Sequence, residues 1–351
     1  AREQLFYDAW AGSYANTEEK LEYTPTQKLK FRRVLSGLSN LSSLRQLYES
    51  FADIITMKDL KRIYTQEMEE RNRKDGTNLR TDFPIPAIEG GGRKLDNGPI
   101  TEMQQEYMDY LVARMDEIQK HAGDKEYAEK DNALWVLSDA RKMSLDIRTI
   151  NPGLPRDENG KVMRSARNIK AIYDKWNDVR GAQLVFCDLS TPSKHAKGEA
   201  RKIINEALKV LVGTEGQKAF RAKWGKETTH KQWGVVREQA DELMEDDSVP
   251  ESKKEQIERH FSALEDVEAT LTVADSGFSV YDDLRQVLID SGIPETEIAF
   301  IHDFNTPQKK QDLFDKVNRG YIRVLIGSSA KMGAGMNVQE RLVALHHLDA
   351  P

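Results

Sequence analysis

The sequence predicts an α/β fold, in which a parallel-sheet lobe with a helical insertion follows a mostly helical region. From about Ser165 onward, helical segments alternate with short apolar runs, which is the pattern of strand–helix–strand units with parallel strands. Residues 1 to about 150 instead carry charged segments with apolar residues at helical spacing. Residues from about 193 to 277 are charged, helical in period and too long for an ordinary connection between a strand and a helix, which predicts the insertion.

The N-terminal region is predicted to contain several amphipathic helices. Residues 40–56 and 101–120 both place apolar side chains at helical spacing. Thr101 and Gln104 have the spacing of a capping box at the start of the second segment. Residues 81–100 contain prolines and three consecutive glycines, which predicts an extended, mobile connector. The region shows no catalytic motif.

Buried strands are predicted at four short apolar runs, Gln183–Leu189, Glu297–Asp303, Arg323–Ser329 and Arg341–Asp349. Helical segments precede the second and the third run. The helix before the third run has clear end signals, with Thr306 as N-cap, Pro307 at the first helical position and Gly320 as the C-terminal stop. This alternation predicts the sheet of the C-terminal lobe.

The composition narrows the class of protein. The net charge of −6 shows no global basic excess, although the 52 Lys and Arg residues leave room for a basic face. Cys187 is the only cysteine, which excludes a disulfide framework and a cysteine-based zinc site within the chain, and fits a cytoplasmic location. No apolar run approaches the roughly 20 residues of a membrane span, and the start shows no signal-peptide pattern. Because the chain begins without Met and stops after an apolar run, we expect a piece of a longer polypeptide.

The segment GSSAKMGAGMN is the strongest candidate site, because it follows a predicted strand and ligands of open parallel sheets bind beyond the carboxyl ends of strands. Two glycines that allow close backbone approach, two hydroxyls and one ammonium group give it the composition of a phosphate-binding loop: Gly333, Gly335, Ser328, Ser329 and Lys331. A purely structural turn is the alternative. Residues 188–192 and 302–307 are expected at the same edge.

Two other constellations point less clearly to chemistry. His346, His347 and Asp349 suggest a metal site, but adjacent side chains on a strand point to opposite faces, so the sequence predicts no metal here. Cys187 lies inside an apolar strand with no base identifiable nearby, which favours a buried thiol over a nucleophile. The insertion is interpreted either as a solvated helical projection or as an arm that contacts DNA or a partner.

Residues 183–192 and 297–351 resemble the second RecA-like lobe of superfamily 2 helicases. The closer likeness is to the Swi/Snf-like branch in large phage- and plasmid-encoded helicase–methyltransferase polypeptides. The matching segments are Gln183–Pro192 for motif IV, Phe300–Gly320 around motif IVa and Ser328–Gln339 for motif V. The resemblance divides the chain into residues 1–160, the helical end of the first lobe and the inter-lobe region, and residues 161–351, the second lobe, which stops before the arginine-finger motif.

The resemblance implies roles for individual residues. Nucleotide sensing would fall on Gly333, Gly335, Asn337 and Gln339. Contact with the DNA phosphate backbone would fall on Ser328, Ser329, Lys331, His302, Asn305, Ser190 and Thr191. The implied cofactors of the complete protein are ATP and Mg²⁺, and the implied partners are DNA and a P-loop lobe, in the cytoplasm of a bacterial or phage-infected cell. The resemblance is also compatible with an associated methyltransferase or nuclease domain as a further partner.

The chain also departs from the family pattern. It contains neither the G-x-x-x-x-G-K-[ST] loop that holds nucleotide phosphates nor a D-E-x-[HD] segment that would hold Mg²⁺. We therefore expect this chain to be part of an ATP-dependent DNA translocase or helicase. By itself the chain would not hydrolyse ATP, and it would contain no catalytic residue. The alternative is a non-catalytic DNA- or protein-binding scaffold that uses the helical insertion. A dinucleotide-binding enzyme is weaker, because the ribose-binding acidic residue is missing.

Overall fold

The computed structural model describes residues 7–23, 29–83, 85–121, 127, 131–264, 266–333 and 335–349. Pro84 of the predicted connector, Ala334 of the glycine loop and the last two residues lie outside these ranges. The chain forms two compact units, Ala1–Asp96 and Asn97–Pro351, and the division between them in the sequence falls within the predicted connector. The predicted boundary between helicase lobes, at residues 160 and 161, stays a prediction.

The N-terminal unit combines helices with an antiparallel hairpin. Its helices are α1 (Tyr7–Tyr14), α2 (Leu41–Glu49) and α3 (Met57–Asp75). Strands β1 (Ala15–Tyr23) and β2 (Leu29–Leu38) pair antiparallel. This hairpin was not predicted from the sequence, because the polar run Thr17–Lys20 interrupts the apolar–polar alternation by which a half-buried strand is identified. In the described part of the connector the regular structure is a single 3₁₀ turn, Glu89–Gly91.

The C-terminal unit is built on a parallel sheet of four strands in the order β4-β5-β3-β6. The strands are β3 (Ala182–Phe186), β4 (Ile298–Phe300), β5 (Val324–Gly327) and β6 (Leu342–His347). Neighbouring strands are parallel throughout. The α/β class and the positions of all four strands are therefore confirmed. Strand β4 is shorter than expected, since the chain turns into a 3₁₀ helix at Ile301–Asp303.

Helices cover both faces of this sheet. In chain order the helices of the unit are α4 (Glu102–Lys120), α5 (Ala133–Leu145), α6 (Lys161–Lys175), α7 (Ala196–Trp224), α8 (Thr229–Glu245), α9 (Glu251–Ser262), α10 (Val267–Ser276), α11 (Val280–Asp290), α12 (Pro307–Asn318) and α13 (Ser329–Met332). Val185 and Ile326 belong to the core formed with α6 and α11. Leu184 and Leu325 point to the other face and pack with α12. This alternation follows from the two-residue period of a strand.

The predicted helix ends are found as expected. Thr101 and Gln104 form the capping box of α4. The Thr306 side chain accepts a hydrogen bond from the Lys309 backbone N–H at the start of α12, and Pro307 is the first residue of that helix. Gly320 follows α12 with φ 76°, a left-handed conformation that favours glycine. None of the helices in the described ranges is long and apolar enough to cross a membrane.

The predicted insertion is a group of four helices, α7 to α10, between β3 and α11. These helices bury a hydrophobic core of their own, which includes Leu208, Trp233, Ile257 and Leu271. Helix α7 is kinked at Gly213, where φ is 67°. The insertion is thus a packed helical subdomain rather than an extended loop, as the helical period of its sequence indicated.

Candidate functional site

The carboxyl ends of β3 and β6 are joined by the side chain of Asp349. Its carboxylate accepts hydrogen bonds from the backbone N–H of Asp188, at 2.9 Å to each oxygen, and of Leu189 at 2.7 Å. Asp349 is buried, and this burial raises the pKa of its carboxyl despite the backbone donors. Asp349 therefore fixes the turn that follows β3.

The end of β5 is anchored to the end of β3 by a second aspartate. The backbone N–H of Ser329 donates to Asp188 Oδ1 at 2.5 Å. Ser328, one residue earlier, is the N-cap of α13, and its Oγ accepts a hydrogen bond from the Lys331 backbone N–H at 3.3 Å. These contacts set the direction in which the chain leaves β5.

The side chains of the predicted phosphate loop and of the β4 loop converge on one oxygen of Asp266. Ser328 Oγ donates to Asp266 Oδ2 at 3.0 Å. The same oxygen lies 3.2 Å from His302 Nε2 and 3.7 Å from Lys331 Nζ. Asp266 belongs to the insertion and immediately precedes α10. A hydroxyl, an imidazole and an ammonium group from two strand ends thus surround a carboxylate from a distant segment.

The electrostatics of this cluster favour the ionised form of the carboxylate. Only 7% of the Asp266 side chain is exposed, and burial by itself would raise the pKa of its carboxyl. The hydrogen bonds from His302 and Ser328, with the nearby charge of Lys331, outweigh burial, so that the pKa of Asp266 is lowered. We refer to Ser328, His302 and Lys331 as the anion cluster.

Two members of the anion cluster keep some contact with solvent. The Lys331 side chain is 24% exposed and the His302 side chain 12%, whereas Ser328 is fully buried. The His302 ring also packs edge-on against Tyr281 at 5.3 Å between ring centres. Its Nδ1 atom makes no hydrogen bond to any of the residues that the structure describes. The anion cluster therefore lies at the border between core and surface.

The predicted DNA contacts after β3 lie in the interior. Ser190 is fully buried, and its Oγ accepts a hydrogen bond from the Val280 backbone N–H at 3.0 Å. Thr191 is buried as well, and its carbonyl accepts from Ser279 Oγ at 2.6 Å. In this conformation both residues tie the end of β3 to the start of α11. Asn305, in contrast, is exposed in the loop between β4 and α12.

The predicted nucleotide-sensing residues all lie in the crossover from β5 to β6, and all four are exposed: Gly333, Gly335, Asn337 and Gln339. The backbone itself also requires glycine at Gly333 and Gly335, as expected if the loop is a purely structural turn. A Cβ at Gly333 would collide with the Ser329 carbonyl oxygen, and Gly335 has φ 75°.

The crossover separates these four residues from one another. The Asn337 carbonyl accepts a hydrogen bond from Asn318 Nδ2, at the C-terminal end of α12, at 2.7 Å. Gln339 begins the 3₁₀ turn that leads directly into β6. Since β6 runs parallel to β5, that turn lies at the amino edge of the sheet, opposite the anion cluster. The fold therefore brings Gly333 close to Lys331 and places Asn337 and Gln339 at the other edge.

The histidines and the cysteine of this region lie as the sequence predicted. His346 faces Gln183, with Nε2 2.9 Å from Gln183 Oε1, whereas His347 stacks on Phe186 at 4.7 Å between ring centres. Burial lowers the pKa of His346 to about 4. Cys187 is buried, and burial raises the pKa of its thiol well above the ordinary value, so it is a core thiol. Within the described residues, no group of three or more His, Cys, Asp or Glu side chains has the arrangement of a metal site.

Asp266 is the residue that sequence reasoning missed. It lies 36 residues before His302 and 62 residues before Ser328 in the chain. Its neighbours are ordinary acidic and apolar helix residues, so no local motif marks it. Only the packing of the insertion beside the sheet brings it to the strand ends.

The comparisons with known proteins assign no family. No protein family, no curated protein and no solved structure matches the chain. A hydroxyl, an imidazole and an ammonium group directed at one oxygen can bind a carboxylate or a phosphate oxygen.

Proposed function

We propose that this chain is the second motor lobe of an ATP-dependent DNA translocase or helicase. In this proposal the carboxyl edge of its parallel sheet binds the phosphate backbone of DNA. The observation that supports it is the convergence of Ser328, His302 and Lys331 on a single anionic oxygen. These residues lie at the sheet edge where open α/β proteins bind their ligands.

Such a site suits the binding of DNA of any sequence. Hydroxyl and ammonium groups read the charge and position of a phosphate and carry no information about the base. A motor that steps along DNA requires contacts of this kind. The resemblance of residues 183–192 and 297–351 to the second RecA-like lobe of Swi/Snf-like helicases points to the same class of ligand.

The crossover between β5 and β6 provides a route from nucleotide to DNA. It begins with Ser328 and Lys331 at one edge of the sheet and continues through Gly333 and Gly335 to Asn337. In this proposal, ATP bound with Mg²⁺ by a P-loop lobe shifts the crossover, and the shift moves the anion cluster along the backbone. The chain itself binds DNA and does not hydrolyse ATP, because it lacks the P-loop and the Mg²⁺-binding acidic segment.

DNA binding by this chain tests the proposal. Fluorescence anisotropy should detect binding to short duplexes of two unrelated sequences with similar affinity. The affinity should fall steeply between about 50 and 200 mM salt, since counterions are released from the phosphates. Binding that is absent, or that does not depend on salt, would remove DNA as the ligand of the anion cluster.

A binding scaffold is the second candidate, and the separate core of the insertion favours it. A packed helical subdomain offers a partner a rigid surface that is independent of the sheet edge. Deletion of residues 194–277 distinguishes the two functions. The scaffold predicts that binding of DNA or protein is lost, whereas the motor lobe predicts that salt-dependent DNA binding survives.

A further inference from the structure

We propose that Asp266 is an internal competitor of the DNA phosphate. Its carboxylate occupies the donors of the anion cluster until DNA displaces it. This inference rests on the proposed function, because it concerns the regulation of the same site. The ligand class is the phosphodiester of a nucleic acid backbone. The competitor is a carboxylate supplied by the helical insertion.

The geometry shows why the two anions exclude each other. Ser328 Oγ has a single proton, and that proton is donated to Asp266 Oδ2. His302 Nε2 and Lys331 Nζ are directed at the same oxygen. A phosphate oxygen that takes these donors must replace the carboxylate. Two negative charges side by side in a half-buried site would also repel each other strongly.

The backbone at Asp266 is held in an uncommon conformation. Its φ is 53° and its ψ is 23°, which is the left-handed region that non-glycine residues rarely adopt. Such a conformation persists where surrounding contacts hold it, and it is found frequently at switch regions. Here the anion cluster holds the carboxylate of Asp266, and the first turn of α10 holds its carbonyl. Release of the carboxylate therefore removes one of the two sets of contacts that hold this conformation.

Because Asp266 is hydrogen-bonded to the first turn of α10, displacement of its carboxylate should have a measurable effect on that turn. The Asp266 carbonyl accepts a hydrogen bond from the Thr270 backbone N–H at 2.9 Å, in the first turn of α10. Helix α10 is buried in the core of the insertion through Leu271 and Val273. Displacement of Asp266 should loosen this first turn while the rest of α10 stays packed.

The test compares Asp266→Asn with Asp247→Asn in DNA binding. Both variants remove one negative charge from the insertion, but Asp247 is exposed in the turn between α8 and α9 and is not among the partners of the anion cluster. Removing a competitor raises apparent affinity by the inverse of the fraction of open sites. We expect Asp266→Asn to bind duplex DNA about tenfold more tightly than the unchanged chain, which is within the usual range of coupling between sites. Asp247→Asn should stay within about twofold.

The outcomes separate this inference from the proposed function. If the unchanged chain binds DNA with the expected salt dependence and Asp266→Asn binds no more tightly than Asp247→Asn, the competitor role is wrong and the DNA site stands. If neither the unchanged chain nor Asp266→Asn binds DNA, both are wrong.

Hydrogen exchange on the unchanged chain gives a second measurement, which does not depend on the folding of a variant. Addition of duplex DNA should speed exchange of the Thr270 amide, which donates to the Asp266 carbonyl, and leave the amides of α8 unchanged. If exchange of the Thr270 amide is unaffected at saturating DNA, Asp266 is not displaced and the inference is overturned.

Discussion

The guanidinium carbon of Arg323 lies 3.6 Å from the centre of the Tyr173 ring, although Arg323 has no exposed surface. Its nitrogens donate to the carbonyls of Gly181 and Tyr173 at 3.2 and 2.7 Å, and to Asn177 Oδ1 at 2.8 Å. Glu297 Oε2 lies 3.9 Å away. One cation at the start of β5 thus links the end of α6, the loop before β3 and the approach to β4.

The substitution Arg323→Lys keeps the positive charge but should still destabilise the sheet. In Arg323→Lys the ammonium group cannot stack on Tyr173 or reach all of these acceptors, which are then left buried without donors. We expect the free energy of unfolding to fall by about 3 kcal/mol, measured by urea denaturation. Arg319→Lys, at an exposed position after α12, should change it by less than about 0.5 kcal/mol. Equal effects of the two variants would show that the Arg323 contacts contribute little.

The two adjacent serines after β5 should differ in their importance for stability. Ser328→Ala removes the N-cap of α13 and one donor to Asp266, so we expect a loss of about 1–2 kcal/mol. Ser329→Ala should be nearly neutral, because Ser329 bonds to Asp188 through its backbone N–H, which alanine retains. Thermal unfolding of both variants provides the comparison. A Ser329→Ala variant as unstable as Ser328→Ala would contradict the assignment of the cap.

Lys331 should contribute one phosphate contact. Lys331→Ala is expected to weaken DNA binding on every sequence and to reduce the slope of log affinity against log salt by about one. Lys316→Ala is the matched control, since it removes an exposed lysine from the C-terminal turn of α12, at the opposite edge of the sheet. Anisotropy titrations across a salt series measure both slopes. An unchanged slope for Lys331→Ala would place this lysine outside the DNA interface.

A histidine between α5, α8 and α10 should make stability depend on pH. His230 Nδ1 lies 2.8 Å from Asp275 Oδ2, and Nε2 lies 3.1 Å from Glu268 Oε1. Burial and the nearby Lys142 lower the pKa of His230, but the two carboxylates outweigh them and the pKa is raised. The pKa of Asp275 falls to about 2 even though burial opposes this, because His230 and the Thr229 backbone donate to it.

The direction of the pH effect follows from the raised pKa of His230. The protonated ring stabilises the fold below its ordinary pKa of 6.5, and this contribution is lost as pH rises through the raised value. His230→Gln should therefore cost about 2 kcal/mol at about pH 5.5 and clearly less at about pH 8.5, by urea denaturation. His121→Gln, at the exposed end of α4, should change stability by less than about 0.5 kcal/mol at both pH values. A loss for His230→Gln that is equal at both pH values would show that the ring does not act through its charge.

The architecture of the C-terminal unit was predictable because its signals are local. Four apolar runs of strand length and the caps at Thr306 and Gly320 are features of neighbouring residues, and the structure has all of them. The insertion was predictable from its helical period and length. The hairpin β1–β2 was not, since the polar residues of β1 hide the alternation.

The candidate site was predictable only in part. Ser328, Lys331 and His302 follow predicted strands, so their common edge could be inferred before the structure. The carboxylate that joins them could not, because Asp266 reaches the edge through the packing of four helices. The burial of Ser190 and Thr191 could not be predicted from the sequence either, since it depends on how the start of α11 packs beside the end of β3.

The strand order has a consequence for the time course of folding. Strand β3 pairs with β5 and β6, and residues 187–323 lie between β3 and the nearer of them. The long loop that this pairing closes makes the sheet slow to form, whereas α7 to α10 bury their core within a shorter stretch of chain, residues 196–274. We therefore expect the insertion to become protected first in pulse-labelling hydrogen exchange. The segment that interrupts the sheet in sequence would then be the earliest part of this unit to reach its native structure.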